Sequence, residues 1–397
     1  MLITIDDYRR AARRSLPRFV YEFIDGGAEY ETCLRANRAD FERIRLTPRV
    51  LRDVAQVDTS VDVFGSSWRA PFALAPTGLN GIVRPGGDAM LAAAAADSGV
   101  PFVLSTASNQ RAEEVRAQAR GGEQWLQLYV MQDRGLAEQL LRRARGAGYR
   151  VLVLTADVPV GGHRWRDARN GFKIPFRITP RLAWDVARRP GWALRMLRGG
   201  APRFVNLAEH PSDALPAEVQ ASLLARSMDR SLVWESLRWL RGLWDGPLVL
   251  KGVLHAEDAA LAVRHGVDGV IVSNHGGRQL DAAPSAIAAL PAIAERVGGR
   301  IPVFLDSGVR SGADIVRAQV LGAHAVFVGR PALYGLACGG REGVQDVMRL
   351  LAQDYERNLV LLGLDSAGNV GKAQAARADR DGVSAPSPAA AGSPTPA

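Results

Sequence analysis

Short apolar runs alternate with amphipathic stretches through most of the chain. Residues 72–76, 102–105, 125–129 and 151–155 are near-continuously apolar and bounded by turn or polar residues, as expected of strands buried on both faces. Between them, 86–98, 111–119 and 134–147 carry helix formers with spaced apolar positions. After a long interruption the rhythm resumes with apolar runs at 247–251, 269–273, 302–306 and 325–329. Helical stretches at 256–265, 283–296, 311–321 and 331–337 follow these four. Eight strand–helix units predict a parallel α/β sheet, closed as a TIM (β/α)8 barrel, with a doubly wound sheet as the alternative. Residues 1–60 are expected as an N-terminal helical cap and 341–362 as a closing helix. The barrel domain then spans 1–372. An Ala/Pro/Ser-rich stretch over 373–397 cannot bury enough surface to order itself, so it is expected as a disordered tail.

The length of 397 residues fits one barrel of about 250 residues with insertions and ends. Apolar residues make up 47% and charged residues 23%, which excludes a disordered or fibrous chain. No apolar run approaches the roughly 18–20 residues of a spanning helix. The opening MLITIDDYRR lacks a basic-then-apolar export pattern, so the expected location is cytoplasmic. Cys33 and Cys338 are the two cysteines, too few for a cysteine-rich metal site, and no metal is predicted. A net charge of +9 suits anionic substrates, a phosphate-bearing cofactor or an anionic lipid surface. No recognition motif accompanies the charge, so nucleic acid is not an expected partner.

The interruption after the fourth strand holds a basic insertion, 177–215. From Arg177 to Arg203 it carries seven arginines against one acid, Asp185, with Trp184, Trp192, Leu194, Met196 and Leu197 interleaved. Two readings stand: a solvated segment covering the barrel mouth, or an amphipathic segment lying in a membrane interface.

Polar residues recur at the strand ends: Thr77, Ser105, Gln127 with Tyr129, Thr155 with Asp157, Lys251, Ser273 with His275, Asp306 with Arg310, and Gly329 with Arg330. In a β/α barrel these ends converge on one face, where active sites are built. Asp306-Ser307-Gly308-Val309-Arg310 and Gly329-Arg330 follow strands seven and eight, a common place for a phosphate grip. His275, beside Gly276 and Gly277, is a candidate general base, and Asp157 would fix its tautomer and stabilise its cation. Arg278 offers a fork for a carboxylate. Lys251 would serve either as an imine-forming nucleophile or as a positive charge facing a cofactor ring.

The motifs SNHGGRQLD (273–281), LVLKGV (248–253), APTG (75–78), LSTAS (104–108), QLYV (127–130) and FLDSGVRSGADI (304–315) occur together in order. The chain resembles the FMN-dependent 2-hydroxy-acid oxidase and dehydrogenase family from LPRFVYEFIDGGAE at 16–29 to about 362. The resemblance implies FMN across the barrel mouth. Pro76, Thr77 and Gly78 would line it, and Ser105, Gln127 and Thr155 would bond its ring. Lys251 would stand beside the ring's N1 and C2 carbonyl, which favours the charge role over the imine. Ser273 would reach the ribityl or ring region, and Asp306 through Arg310 with Gly329 and Arg330 would hold ribityl and phosphate. It also implies a small 2-hydroxy acid clamped by Arg278, Arg164 and Tyr129, with His275 and Asp157 catalytic. A family tyrosine that contacts the substrate carboxylate is replaced by Phe23. APTGLNG and LSTASN are most similar to the mandelate dehydrogenase subgroup, and Gly78 stands where the oxidases more often have alanine. That subgroup implies a membrane quinone as acceptor, a peripheral place on the inner face of the cytoplasmic membrane, and a homo-oligomer, by resemblance a tetramer. An oxidase releasing hydrogen peroxide and a catalytically silent FMN- or anion-binding relative are the alternatives. The intact His275, Arg278 and Lys251 speak against the second.

Overall fold

Strands that are apolar on both faces need helices on one side and a second apolar layer on the other. In the computed structural model the sheet supplies that second layer itself by closing. The structure describes residues 2–172, 179–200, 202–207, 228–378 and 384–386. Three helices, Ile5–Ser15, Arg18–Asp25 and Thr32–Glu42, lead into β1 (Ile44–Leu46) and a hairpin of β2 (Val61–Val63) and β3 (Ser66–Trp68). The barrel strands follow: β4 (Phe72–Leu74), β5 (Phe102–Ser105), β6 (Gln124–Leu128), β7 (Val151–Thr155), β8 (Leu248–Val253), β9 (Gly269–Val272), β10 (Val303–Leu305) and β11 (Ala325–Val328). They pair in parallel around a closed ring in which β11 meets β4. The expected (β/α)8 barrel is therefore present. The closing helix runs over Arg341–Leu362 and ends at Gly363.

The barrel interior is filled by small and branched side chains such as Ala73, Val103 and Val153, and at its base by large rings. There Trp68 packs against Trp125 at 5.5 Å, and Phe327 lies 5.6 Å from both Trp125 and Phe304. Such pairs add about 0.5–1.5 kcal/mol each beyond area burial, so the base is a plug and a ligand must enter from the other end.

The N-terminal cap departs from expectation beyond Glu42. Residues 43–60 are β1 and irregular chain rather than helix, because three-residue strands leave too short an alternation to read. The stretch expected as a disordered tail also differs in part. β12 (Ala375–Ala378) pairs antiparallel with β1, Ile44 opposite Arg377, and β13 (Ser384–Pro386) pairs with β12. Edge pairing draws on backbone groups, to which an Ala-rich composition gives no clue. Residues 379–383 and 387–397 of that stretch lie outside the described residues.

Within the insertion, helices Pro180–Ala187 and Pro190–Gly199 each begin with proline in the first turn, where its missing N–H costs nothing. They rest on the cap and on the short helix Asn80–Val83 beyond β4. Trp192 Nε1 donates to the Ile82 carbonyl (2.8 Å), and the Arg18 amide donates to Asp185 (2.6 Å). Trp184 (67% exposed), Leu194 and Leu197 (83%) face outward. The insertion's remaining residues at 177–178, 201 and 208–215 lie outside the described residues.

Candidate active site

The strand ends bring the predicted polar residues together at the open end of the barrel. Ser105, Gln127, Thr155, Lys251, Ser273 and Asp306 are all buried there. Lys251 Nζ donates to Ser273 Oγ and pairs with Asp306 Oδ2, each at 2.7 Å. Burial disfavours its charge, but Asp306 and Asp157 outweigh burial and hold its pKa above the ordinary lysine value. An imine-forming nucleophile must be neutral, so the geometry supports the charge role.

Gln127 Oε1 accepts from Ser105 Oγ and from the Thr106 amide, both at 3.1 Å. Its Nε2, like Thr155 Oγ1, is buried without a partner among the described residues. An unmade buried hydrogen bond costs about 1–3 kcal/mol. A donor and a hydroxyl left open on adjacent strands fit the polar edge of a bound heterocycle, and FMN suits these residues.

His275 Nδ1 lies 2.9 Å from Asp157 Oδ1. A carboxylate only accepts, which assigns the proton to Nδ1 and leaves Nε2 as the basic atom. Burial pushes the Asp157 pKa up, but the charges of His275 and Lys251 prevail and hold it below the ordinary carboxylate value. Asp157 reaches this position because Gly252 (φ +104°) stands beside it: a Cβ there would lie 2.6 Å from the Asp157 Cβ. The Tyr129 hydroxyl is 3.4 Å from His275 Nε2. His275 itself has a positive φ of 58°, an uncommon conformation for a non-glycine residue that clusters at functional sites.

Arg278 Nη1 donates to the carbonyls of Phe23 (2.7 Å) and Gly26 (3.0 Å), and Arg330 donates to those of Ile24 (3.0 Å) and Gly26 (2.8 Å). These carbonyls close the helix Arg18–Asp25, whose C-terminal end favours cations. Burial, then the charges of Arg164 and Arg330, pull the Arg278 pKa down to about 9. Arg164 is tied to Asp167 at 2.8 Å. Arg310 is likewise lowered to about 10, by burial and by Arg330 and Arg38, with Tyr334 opposing. Cations crowded together in this way create a site for anions.

In the loop after β10, Ser307 Oγ accepts from the Gly276 amide (2.9 Å) and donates to Asp306 (2.7 Å), and Val309 is buried. Gly308 lies against the Asn37 backbone. Gly329 caps the helix Arg330–Gly339, and a Cβ on it would lie 3.7 Å from Thr77 Cγ2 and 3.8 Å from Ala75 Cβ. Gly78 leaves only 2.8 Å for a Cβ against Ala107, and Pro76 is half-buried between Ala75 and Thr77.

Three further residues complete the site. Asp25, at the end of the second cap helix, binds Arg9 of the first (2.7 Å) and Tyr334 of the helix after β11 (2.7 Å). Gln279 Nε2 ties Asp157 and Val160 carbonyls together at 2.9 Å each. Phe172 stacks on Phe23. Asp25 and Gln279 lie inside quoted motifs and were open to notice. Phe172 follows a stretch with no periodic signal.

A sequence profile described as FMN-dependent dehydrogenase matches residues 12–377. The chain is 44% identical over 362 residues to an (S)-mandelate dehydrogenase of Pseudomonas putida, covering 91% of each. It is 45% identical over 365 residues to an L-lactate dehydrogenase of Caulobacter vibrioides, covering 92% of this chain and 95% of the other. Among solved structures it is similar to the monotopic membrane protein (S)-mandelate dehydrogenase, with a TM-score of 0.88 and 44% identity over 93% of this chain and 97% of that one. It is also similar to mandelate oxidase, with a TM-score of 0.81 and 37% identity over 94% and 98%.

Proposed function

The chain belongs to the FMN-dependent dehydrogenases that act on 2-hydroxy acids, and from that premise we propose that it oxidises an L-2-hydroxy acid, mandelate-like or lactate-like, to the 2-oxo acid and passes the electrons to a quinone. The observation that carries the reading is the His275–Asp157 pair at 2.9 Å, set among Arg278, Arg164 and Tyr129 at a mouth with open hydrogen-bonding positions at Gln127 and Thr155.

Bound FMN supplies the two-electron acceptor. Gln127, Thr155 and Ser105 would hold its ring, with Pro76, Thr77 and Gly78 alongside and Lys251 supplying positive charge where reduction adds negative charge. Ser273, the 306–310 loop, Gly329 and Arg330 would hold its ribityl phosphate. Arg278 and Arg164, with the Tyr129 hydroxyl, orient the substrate carboxylate. His275 accepts the substrate proton at Nε2, and its Nδ1–H turns toward Asp157, whose charge stabilises the imidazolium.

The acceptor assignment is supported by the insertion, where exposed Trp184, Leu194 and Leu197 accompany exposed Arg188 and Arg198, the composition of an interfacial segment. Among the described residues no helix is long and apolar enough to cross a membrane, so attachment would be peripheral. The test is reoxidation of substrate-reduced protein by a soluble quinone or by air, with peroxide assayed in parallel. Fast reoxidation by quinone with little peroxide is expected. Stoichiometric peroxide at a comparable rate would identify an oxidase. Replacing 177–215 with a short linker should also release the protein from membranes, and continued sedimentation with them would refute the anchor.

A further inference from the structure

The second helix of the insertion, Pro190–Gly199, lies along the turn that follows the short helix Asn80–Val83. Trp192 Nε1 donates to the Ile82 carbonyl at 2.8 Å, and Gly199 touches Pro85 so closely that a Cβ would collide with the proline ring. Arg195 stands three residues after the first contact and four before the second, on the same side of the helix, which brings it to Arg84. Its Nε is buried with no hydrogen-bond partner among the described residues. Burial, then the charge of Arg84, pull the Arg195 pKa down. Arg84 is half-buried and lies against Gly340, where a Cβ would stand 3.0 Å from both its Cζ and its Nε. Gly340 caps the helix Arg341–Leu362, whose N-terminal end carries positive dipole charge. Among the described residues neither arginine side chain has an ion-pair or hydrogen-bond partner. Two adjoining guanidiniums without a carboxylate, one with a buried donor left open, are stabilised when an anion joins them. The opposite side of the same helix exposes Leu194 and Leu197. Sinking those leucines into a membrane surface sets the two arginines at the level of the headgroups.

We propose that Arg84 and Arg195 form a phosphate-binding site at the seam between the insertion and the barrel, and that its ligand is the headgroup phosphate of an anionic phospholipid. The assignment rests on the peripheral attachment proposed above and names the lipid group that attachment recognises. Paired guanidiniums suit phosphate because their planar forks donate to its oxygens two at a time. A built site differs measurably from a diffuse basic surface. Loss of either arginine should cost more binding than loss of an equally charged but exposed arginine of the same insertion, such as Arg188.

The test follows flotation of yellow holoprotein with phosphatidylcholine vesicles, with and without phosphatidylglycerol. The native protein should prefer the anionic vesicles. Arg84→Gln and Arg195→Gln should each weaken that binding at least about tenfold. Arg188→Gln should weaken it by about fivefold or less, the share of one basic residue near an anionic surface. A second arm omits vesicles and compares inorganic phosphate with chloride at equal ionic strength. Phosphate should raise the melting temperature of the native holoprotein more than that of Arg84→Gln or Arg195→Gln. Such a phosphate shift in protein that floats with neither vesicle would refute the membrane reading and leave a site for free phosphate. Equal losses of vesicle binding in the three variants would overturn the lipid ligand, and an equal phosphate shift as well would overturn the site.

Discussion

Replacing Asp157 with Asn isolates the negative charge that faces His275. The amide keeps the shape and can still accept from His275 Nδ1, so the ring should hold its place while the negative charge disappears. With charge centres about 4 Å apart and an effective dielectric constant near 20, that charge stabilises an imidazolium by about 4 kcal/mol. At about 1.4 kcal/mol per decade, flavin reduction should slow by about 10²- to 10³-fold. Asp157 does not touch the carboxylate clamp, so substrate affinity should change by less than about threefold. The new amide would place an N–H or carbonyl where Asp157 Oδ2 is buried without a hydrogen-bond partner among the described residues. Thermal stability should therefore fall by an amount worth about 1–3 kcal/mol without loss of FMN. Anaerobic stopped-flow reduction over a range of (S)-mandelate concentrations separates rate from affinity. A rate within tenfold of native, or a loss confined to affinity, would refute the role given to the pair.

Other consequences are as specific. His275→Ala should purify yellow, because its side chain is assigned to the substrate proton and not to the flavin, yet show no bleaching by any 2-hydroxy acid. Arg330→Ala should weaken FMN retention at least tenfold in a fluorescence titration, through loss of a cation, release of the Ile24 carbonyl and loss of one of the two donors to the Gly26 carbonyl. Asp25 supplies a pH signature. Burial would raise its pKa, but Arg9 and Tyr334 draw it down from 3.8 to about 2. A depressed carboxylate pKa stabilises the fold above the unfolded value and loses that contribution as pH falls. About 2.5 kcal/mol should thus be present above pH 4 and fade toward pH 2. Asp25→Asn should lack it at pH 7 and show a flatter acid limb in urea unfolding.

The barrel was legible because its strands are continuously apolar and each helix returns at a regular interval. The clustering of Lys251, Ser273, Asp306 and His275 followed from the rule that strand ends share a face. What stayed hidden depends on contacts distant in the chain. Phe172 gains meaning only against Phe23, 149 positions earlier in the numbering, and no local period marks it. The β1–β12 pairing joins residues from opposite ends of the chain by backbone register. Arg278 and Arg330 read as a substrate fork and a phosphate ligand. That each also spends donors on the end of the helix Arg18–Asp25 depends on how the cap folds over the mouth.

The function proposed for this protein depends on hydroxy-acid electrons entering an FMN held where the eight strands end. Anaerobic addition of (S)-mandelate and of L-lactate to purified holoprotein tests it most directly. The yellow colour should bleach with at least one of them and return when a quinone is added. Protein that takes up FMN but keeps its colour with both acids, or that takes up none, would contradict it.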